Sequence, residues 1–126
     1  VIVLNNCVFG MTGGQMSPTS LQGQVTSSSI HGKSMEEGGA TMDVVRMLKD
    51  MDISYLARAA LCDAGNIKKA RKYIIKALEK QMNGEGYSFI ELLSPCPTNW
   101  NMDPGVAAAY IKETILPVFP TGEFLG

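Results

Sequence analysis

Short apolar runs alternate with amphipathic segments along this chain, and that alternation constrains its fold more than any other feature. Strand candidates at residues 1–4, 53–57 and 87–93 are separated by predicted helices at 41–51 and 66–83. The apolar runs are short and rich in β-branched or aromatic residues, which is typical of strands buried in a sheet. The alternation predicts an α/β fold in which a parallel sheet is covered by flanking helices.

Residue types at the helix ends and faces support this assignment. Thr41 is a suitable N-cap for the first helix, and Asp103 followed by Pro104 begins a third helix that Pro117 ends. The second helix carries apolar residues on one face and lysines on the other, namely Lys68, Lys69, Lys72, Lys76 and Lys80. We expect this lysine-rich face to be an ordinary solvated helix surface.

Two segments without helical or strand periodicity each follow a predicted strand. Residues 10–39 are rich in Gly, Ser, Thr and Gln, a composition that suits a loop wrapped around a ligand. In residues 94–101, Pro95 and Pro97 flank Cys96, so no regular structure is expected there. Ligands bind at the carboxyl ends of parallel strands, and we expect both loops to open on that edge of the sheet.

Composition excludes several classes of protein. The 126 residues suit one domain or a part of one, and the charged fraction of 18% with a net charge of −1 gives no basic footprint for nucleic acid. No apolar run approaches the roughly 18 residues of a membrane span, and no signal peptide is visible. Three cysteines do not make a disulfide framework. We therefore expect a cytoplasmic protein that binds neither nucleic acid nor membrane.

The first apolar run begins at Val1 without a preceding Met or a polar lead-in. Natural domains seldom begin inside a central strand. We therefore expect the chain to be a fragment of a longer protein.

Asn5 and Asn6 directly follow the first strand. Asparagine offers a neutral oxygen to a hard cation such as Mg²⁺, and the backbone carbonyl of Val8 is placed to add a second ligand from the same turn. A Mg²⁺ site that holds a diphosphate typically combines one or two protein oxygens with phosphate oxygens. A plain Asx turn that ends the strand explains the same residues.

The segment from Gly10 to Gln15, GMTGGQ, can bring backbone N–H groups close to a phosphate, since glycine lets the main chain approach. It is neither a Walker loop nor the dinucleotide fingerprint, because the required residues and glycine spacing are absent. The glycine-rich turn alone is therefore weak evidence for a function.

Cys96 lies in a stiff loop that suits a metal or cluster ligand, although a structural role fits as well. Clusters commonly take four cysteines, and no Cys-x-x-Cys occurs here, so this chain alone cannot complete such a site. Cys7 and Cys62 are expected to be small buried hydrophobic residues. His31, the one histidine, is expected to be hydrogen-bonded or exposed rather than catalytic.

Taken together, these segments resemble one family. Residues 5–19, NNCVFGMTGGQMSPT, are similar to the thiamine-diphosphate segment of the β subunits of 2-oxoacid:ferredoxin oxidoreductases. Residues 89–100, FIELLSPCPTNW, resemble a second signature of those subunits. Residues 55–58 and 119–124 also resemble the usual sequence of these subunits and occur in the same order. The resemblance covers nearly the whole chain.

The resemblance implies specific cofactor contacts. Thiamine-diphosphate enzymes share a split motif, Gly-Asp-Gly followed later by Asn-Asn, and this chain holds the second half. Asn6 would ligate Mg²⁺ through its side chain and Val8 through its backbone carbonyl. Gly10, Met11 and Thr12 would lie along the cofactor, with Thr12 near the diphosphate. Some relatives carry a lysine at the position of Gly13, a difference that would affect substrate or coenzyme contacts.

The same resemblance makes Cys96 the last of four ligands to a [4Fe-4S] cluster. Its three partners, and the Asp of the first half-motif, would belong to a missing upstream part. Residues 1–126 would then be the C-terminal part of a single thiamine-diphosphate-binding domain.

The implied function is oxidative decarboxylation of a 2-oxoacid to acyl-CoA and CO₂, with electrons passing through the cluster to ferredoxin. The implied partners are other subunits of the oxidoreductase, ferredoxin, the 2-oxoacid and coenzyme A. Two alternatives remain open: a cluster-free thiamine-diphosphate enzyme, and a non-catalytic interaction fragment.

Overall fold

The computed structural model describes residues 1–126. Four strands form one sheet in the order β1-β3-β2-β4. Their bounds are β1 Ile2–Asn5, β2 Tyr55–Ala60, β3 Ser88–Leu93 and β4 Gly122–Leu125. The three strands predicted from the sequence are all present, and β2 lies further along the chain than the 53–57 expected. The prediction that the first strand is buried and central is wrong, because β1 lies at the edge of the sheet and its side chains Ile2 and Leu4 are exposed.

The sheet is mixed, and its predicted parallel part is confirmed. β3 pairs in parallel with β1, which sets Asn5 opposite Leu93, and in parallel with β2, which sets Arg58 opposite Glu91. β4 pairs antiparallel with β2. This last strand is absent from the sequence-based prediction because its four residues include Gly122 and lack an apolar alternation that would mark a strand.

Helices lie between the strands. Their bounds are α1 Met35–Gly38, α2 Val44–Leu48, α3 Ala64–Met82, α4 Pro97–Trp100 and α5 Pro104–Tyr110, which continues as a π-helical turn over Ile111–Ile115. None of these helices combines the length with the hydropathy that a membrane-spanning helix requires.

The N-terminus of α2 corrects one prediction. Its N-cap is Asp43, whose carboxylate accepts a hydrogen bond of 3.1 Å from the backbone N–H of Arg46. Thr41, the predicted cap, instead donates its hydroxyl to the backbone carbonyl of Ser20 over 2.8 Å. The helix is therefore shorter than the 41–51 expected.

The other helix ends agree with the prediction in part. Pro104 occupies the first turn of α5, as its missing N–H favours, but the side chain of Asp103 makes no capping hydrogen bond. In α3, Asp63 caps the N-terminus by accepting from Asn66 N over 2.8 Å, so the helix begins slightly before residue 66. Lys68 and its lysine neighbours are exposed or pair at the surface, as a solvated face requires.

The two loops contain more regular structure than expected. Residues 97–100 form the short helix α4, because Pro97 stands at the first helical position, where it needs no N–H partner. Within residues 10–39, α1 is capped by Ser34, and isolated bridges join Phe9 to Gln15 and Thr26 to Ser29. The long loop is thus held by its own hydrogen bonds.

Side-chain alternation gives the sheet two differently covered faces. On one face, α3 buries Ala70 and Ala77 against strand residues such as Ile90. The opposite face carries two apolar clusters, one around Val45 of α2 and one around Phe119 and the π-helical turn. Arg58 and Glu91 lie on this second face, in the row between the residues of the two clusters.

Candidate functional site

The loops that follow β1 and β3 meet at one edge of the sheet, as predicted. The two strands are adjacent and parallel, so their carboxyl ends lie side by side. The backbone N–H of Ser94 donates to the carbonyl oxygen of Asn5 over 2.9 Å. The hydrogen bonding between β1 and β3 therefore extends to the first residues of both loops. The candidate site is built from these two loops.

Two successive Asx turns shape the chain after β1. The side-chain oxygen of Asn5 accepts hydrogen bonds from the backbone N–H of Cys7 at 2.9 Å and from the hydroxyl of Thr19 at 2.8 Å. The side-chain oxygen of Asn6 accepts from the N–H of Val8 at 3.4 Å. Cys7 takes a left-handed conformation, with φ of 59°, that the first turn stabilises. The segment Asn5–Val8 is therefore a fixed turn, referred to below as the asparagine turn.

Asn99 connects this turn region to the cysteine loop. Its side-chain amide donates to the carbonyl oxygen of Gly10 over 3.1 Å and to the Sγ of Cys96 over 3.3 Å. Next to it, the indole N–H of Trp100 donates to the carbonyl oxygen of Asn6 over 3.0 Å. Sequence reasoning missed Asn99, because its partner at position 10 is 89 residues away along the chain.

Gly10 lies where three side chains converge. A Cβ atom at this position would lie 2.9 Å from Asn6 Nδ2, 3.2 Å from Asn99 Nδ2 and 3.6 Å from Cys96 Sγ. A side chain at this position would displace the Asn6 amide, and the close approach brings together three of the residues predicted to form the site, Asn6, Gly10 and Cys96. They come from sequence segments about 90 residues apart.

The predicted cofactor-contacting residues Met11 and Thr12 form the tip of a hairpin. The backbone N–H of Phe9 donates to the carbonyl oxygen of Gln15, and the N–H of Gly14 donates to the carbonyl oxygen of Phe9. Thr12 donates its hydroxyl to the Gln15 side chain over 2.7 Å. Met11 is fully exposed, and Gly13 has φ of 122°. Residues 11–13 are all exposed, so the tip is available to contact a bound molecule.

A cavity of about 360 Å³ lies beside the asparagine turn. Apolar residues share its lining with polar groups from the end of β1, from the loop after it and from β3. The lining consists of Val3, Leu4, Asn5, Asn6, Val8, Phe9, Ser17, Pro18, Thr19, Met42, Val44 and Glu91. A concave, mostly apolar site with a few polar groups is typical of cofactor pockets.

The three cysteines differ in environment. Cys7 is fully buried, and that burial, reinforced by the negative charge of Glu91, raises the pKa of its thiol to about 12. It stays protonated and acts as a small apolar residue, as predicted. Cys62 is only partly buried, contrary to expectation, since it lies next to Asp63 at the exposed start of α3. Cys96 is partly exposed, and His31 is exposed as expected.

The donor set of the asparagine turn can contribute to a magnesium site. Asn6 Oδ1 makes only one long hydrogen bond, and the carbonyl oxygen of Val8 accepts none, so both neutral oxygens have free lone pairs. No group of three or more His, Cys, Asp or Glu side chains in the chain is placed to hold a metal ion. A metal bound here would therefore take its remaining ligands from elsewhere, as Mg²⁺ does when it binds phosphate oxygens.

Comparisons with known proteins identify sequences similar to this chain. Residues 1–92 match the family described as thiamine pyrophosphate enzyme, C-terminal TPP binding domain. Ketoisovalerate oxidoreductase subunit VorA of Methanothermobacter thermautotrophicus is 40% identical over 98% of this chain, and 2-oxoglutarate synthase subunit KorB of Archaeoglobus fulgidus is 30% identical over 89%. The 2-oxoacid:ferredoxin oxidoreductase subunit beta of Saccharolobus solfataricus is 32% identical over 78% of the chain. No solved structure matches.

The chain spans 26% of the VorA subunit, 38% of the KorB subunit and 28% of the Saccharolobus subunit. The family match covers more than two thirds of the chain and includes the asparagine turn and the hairpin tip. The chain belongs to the thiamine pyrophosphate enzyme family, in its C-terminal TPP-binding domain, and its homologues are β-type subunits of 2-oxoacid:ferredoxin oxidoreductases.

Proposed function

We propose that this chain is part of the catalytic subunit of a 2-oxoacid:ferredoxin oxidoreductase, which converts a 2-oxoacid and coenzyme A to acyl-CoA and CO₂ and passes the electrons to ferredoxin. The observation that carries the proposal is the convergence of Asn6, Gly10 and Cys96 at one point. A metal-diphosphate ligand and a cluster ligand that lie together are what such an enzyme requires. Residues 1–126 form the C-terminal part of its single thiamine-diphosphate-binding domain.

In this proposal the asparagine turn holds the Mg²⁺ ion of thiamine diphosphate. The side-chain oxygen of Asn6 and the carbonyl oxygen of Val8 are the ligands, and an upstream Asp supplies the third protein ligand. Gly10 lets the main chain approach the cofactor, while Met11 and Thr12 lie along it. When bound, thiamine diphosphate supplies the electron sink for decarboxylation of the 2-oxoacid.

Cys96 is the proposed ligand of a [4Fe-4S] cluster whose other three cysteines lie in the upstream part of the subunit. The amide of Asn99 donates to its sulfur, and such hydrogen bonds raise the reduction potential of iron–sulfur clusters by stabilising the more negative state. Because Asn99 also contacts Gly10, it would fix the spacing between the cluster ligand and the cofactor loop.

The names of the homologues support a 2-oxoacid as substrate and other subunits as partners, since each is a subunit of an enzyme named for a 2-oxoacid or its product. We place the enzyme in the cytoplasm, where cysteines remain reduced. The balanced surface charge gives no support for nucleic acid as a partner.

The test is cofactor analysis of the full-length subunit, assembled with its partner subunits and purified without oxygen. We expect thiamine diphosphate, Mg²⁺, four irons and four sulfides per subunit in the cluster formed with Cys96, and reduction of ferredoxin that depends on a 2-oxoacid and coenzyme A. Thiamine diphosphate without iron would instead support a cluster-free enzyme of the family. Absence of both cofactors would support a non-catalytic interaction role.

A further inference from the structure

A row of charged and polar side chains, buried except for the partly exposed Asp43, runs across one face of the sheet to the asparagine turn. Arg58 donates from Nε to Glu91 Oε2 over 2.6 Å, and its Nη2 bonds to the carboxylate of Asp43. The other oxygen of Glu91 accepts from the side-chain amide of Asn5 over 2.7 Å. We call Asp43, Arg58, Glu91 and Asn5 the buried polar row.

The central charges of the row lie in an apolar environment, which disfavours charged side chains. Arg58 and Glu91 are each 1% exposed, and they lie between two apolar clusters on the same face. A buried ion pair loses hydration that its own attraction rarely repays, and replacing such a pair with well-packed apolar residues is often neutral or stabilising. Stability of the sheet therefore does not explain why these charges are here.

The geometry of Glu91 suggests what they do. Both of its oxygens accept from donors, one from Arg58 and one from Asn5. A carboxylate cannot donate, so the amide of Asn5 must present its nitrogen to Glu91. The oxygen of Asn5 is thereby directed to the N–H of Cys7 and the hydroxyl of Thr19, the two contacts that hold the asparagine turn and the following loop.

The Arg58 end of the row is also held firmly. The guanidinium lies over the ring of Phe119, with 5.0 Å to the ring centroid, and donates from Nη1 to the carbonyl oxygen of Pro120. Asp43, its second anionic partner, caps α2 and so ties that helix to the row. Arg58 therefore has little freedom to let Glu91 rotate away from Asn5.

We propose that Glu91, oriented by Arg58, is a positioning residue for the magnesium site: it fixes the amide of Asn5 and thereby the turn that presents Asn6 Oδ1 and the Val8 carbonyl oxygen. The inference rests on the proposed function and assigns a role to residues that do not touch the metal. Removing a group that hydrogen-bonds to a metal ligand and fixes its orientation typically lowers metal affinity about 10–100-fold.

The test measures metal affinity directly in the full-length assembled subunit. Mn²⁺ replaces Mg²⁺, and its binding in the presence of thiamine diphosphate is followed by electron paramagnetic resonance. In Glu91→Gln, one amide nitrogen must face a donor, either Arg58 or Asn5, so the row is broken without a change of size. We expect the Mn²⁺ dissociation constant to rise about 10-fold or more, with activity at saturating metal recovering toward that of the wild type.

Glu123→Gln is the matched control, because it also neutralises a carboxylate that accepts from two side chains, Lys76 and Tyr55, but does so at β4, away from the turn. We expect its Mn²⁺ affinity to stay within about 2-fold of the wild type. A purely structural role for Glu91 would lower the unfolding temperature while leaving metal affinity as in this control, and that result would overturn the inference.

Thr19 provides a second route that leaves the buried charges intact. Thr19→Val removes the hydroxyl that donates to Asn5, and Thr19→Ser restores it. We expect weaker Mn²⁺ binding in the Val variant and near wild-type binding in the Ser variant. The positioning role would be overturned if both Glu91→Gln and Thr19→Val bound Mn²⁺ with unchanged affinity. If Glu91→Gln fails to fold, unchanged Mn²⁺ affinity in Thr19→Val alone would overturn it. A wild-type protein that binds neither Mn²⁺ nor thiamine diphosphate would instead refute the proposed function itself.

Discussion

Asn99 donates a hydrogen bond from its side-chain amide to the carbonyl oxygen of Gly10 over 3.1 Å, and so joins the two loops that end β1 and β3. The same nitrogen lies 3.3 Å from the sulfur of Cys96. One side chain therefore controls the distance between the proposed cofactor loop and the proposed cluster ligand.

Replacing Asn99 with Ala should loosen this junction. We expect the free energy of unfolding to fall by about 1–2 kcal/mol, because the Gly10 carbonyl loses its side-chain donor. We also expect the reduction potential of the cluster to fall, because the sulfur of Cys96 loses its N–H donor. Thr98→Ala is the control, since Thr98 is exposed in the same short helix and its side chain makes no hydrogen bond. Calorimetry and a redox titration measure the two effects; identical results for the two variants would contradict the assigned role of Asn99.

Gly10→Ala separates cofactor binding from folding. The new Cβ would lie 2.9 Å from Asn6 Nδ2, so the side chain proposed to hold Mg²⁺ must move, while the backbone is unstrained. A flexible side chain moves at little cost, and we expect a loss of stability below about 1 kcal/mol together with at least a 10-fold loss of thiamine-diphosphate affinity.

Gly105→Ala is the control for this substitution. Gly105 lies in the first turn of α5, and a Cβ there meets no atom within 4 Å. Alanine in a helix is favoured over glycine, so we expect stability to rise by up to about 1 kcal/mol with cofactor affinity unchanged. Equal cofactor affinity in the two alanine variants, measured by titration calorimetry, would argue against a cofactor contact at Gly10.

Cys96→Ser in the full-length subunit should remove or destabilise the cluster, because a serine oxygen is a poor substitute for a thiolate ligand of iron. Cys62→Ser is the matched control, since Cys62 is also partly exposed but lies at the start of α3 next to Asp63. Iron and sulfide analysis after anaerobic purification measures the effect. Full iron content in Cys96→Ser would show that the cluster, if present, is held by other residues.

The buried thiol of Cys7 predicts a specific pH dependence of stability. Burial raises its pKa from 9.0 in the unfolded chain to about 12 in the folded protein. The folded state therefore holds this proton more tightly, and the resulting stability is complete below pH 9 and is lost as the pH rises from 9 to 12. Between pH 8 and pH 10 the loss from this one group amounts to about 1.4 kcal/mol.

Cys7→Ala isolates this contribution, because it removes the titrating group and leaves the rest of the chain unchanged. We expect the unfolding temperature of the wild type to fall more steeply than that of Cys7→Ala as the pH rises from 8 to 10. Parallel decreases in the two proteins would show that Cys7 does not carry the predicted linkage.

Much of the fold could be predicted because periodicity is a local signal. The buried strands β2 and β3, the long helix α3 and the position of both loops at one sheet edge follow from apolar patterns and the parallel-sheet rule. The burial of β1 does not follow, because an apolar run does not reveal that this strand lies at the sheet edge. Strand β4 could not be predicted, since its four residues carry no apolar alternation and its partner β2 is distant in sequence. The cap of α2 is Asp43 rather than Thr41 because Arg58, distant in sequence, also binds that carboxylate.

In the candidate site, too, some residues could be predicted from the sequence and others could not. Asn6, Gly10 and Cys96 could be proposed from the family resemblance, and the structure brings them together. Asn99 and Glu91 were missed, since their roles depend on partners 89 and 86 residues away. A signal for Glu91 was nevertheless present: a charged residue inside an otherwise apolar strand, with Arg58 in the same situation on the next strand.

The most direct test of the central claim is a crystal structure of the full-length subunit, assembled with its partners, with Mg²⁺ and thiamine diphosphate bound. We expect the side-chain oxygen of Asn6 and the carbonyl oxygen of Val8 to ligate the metal at about 2.0–2.1 Å, with Gly10 against the cofactor. A metal and diphosphate bound away from the asparagine turn would contradict the account.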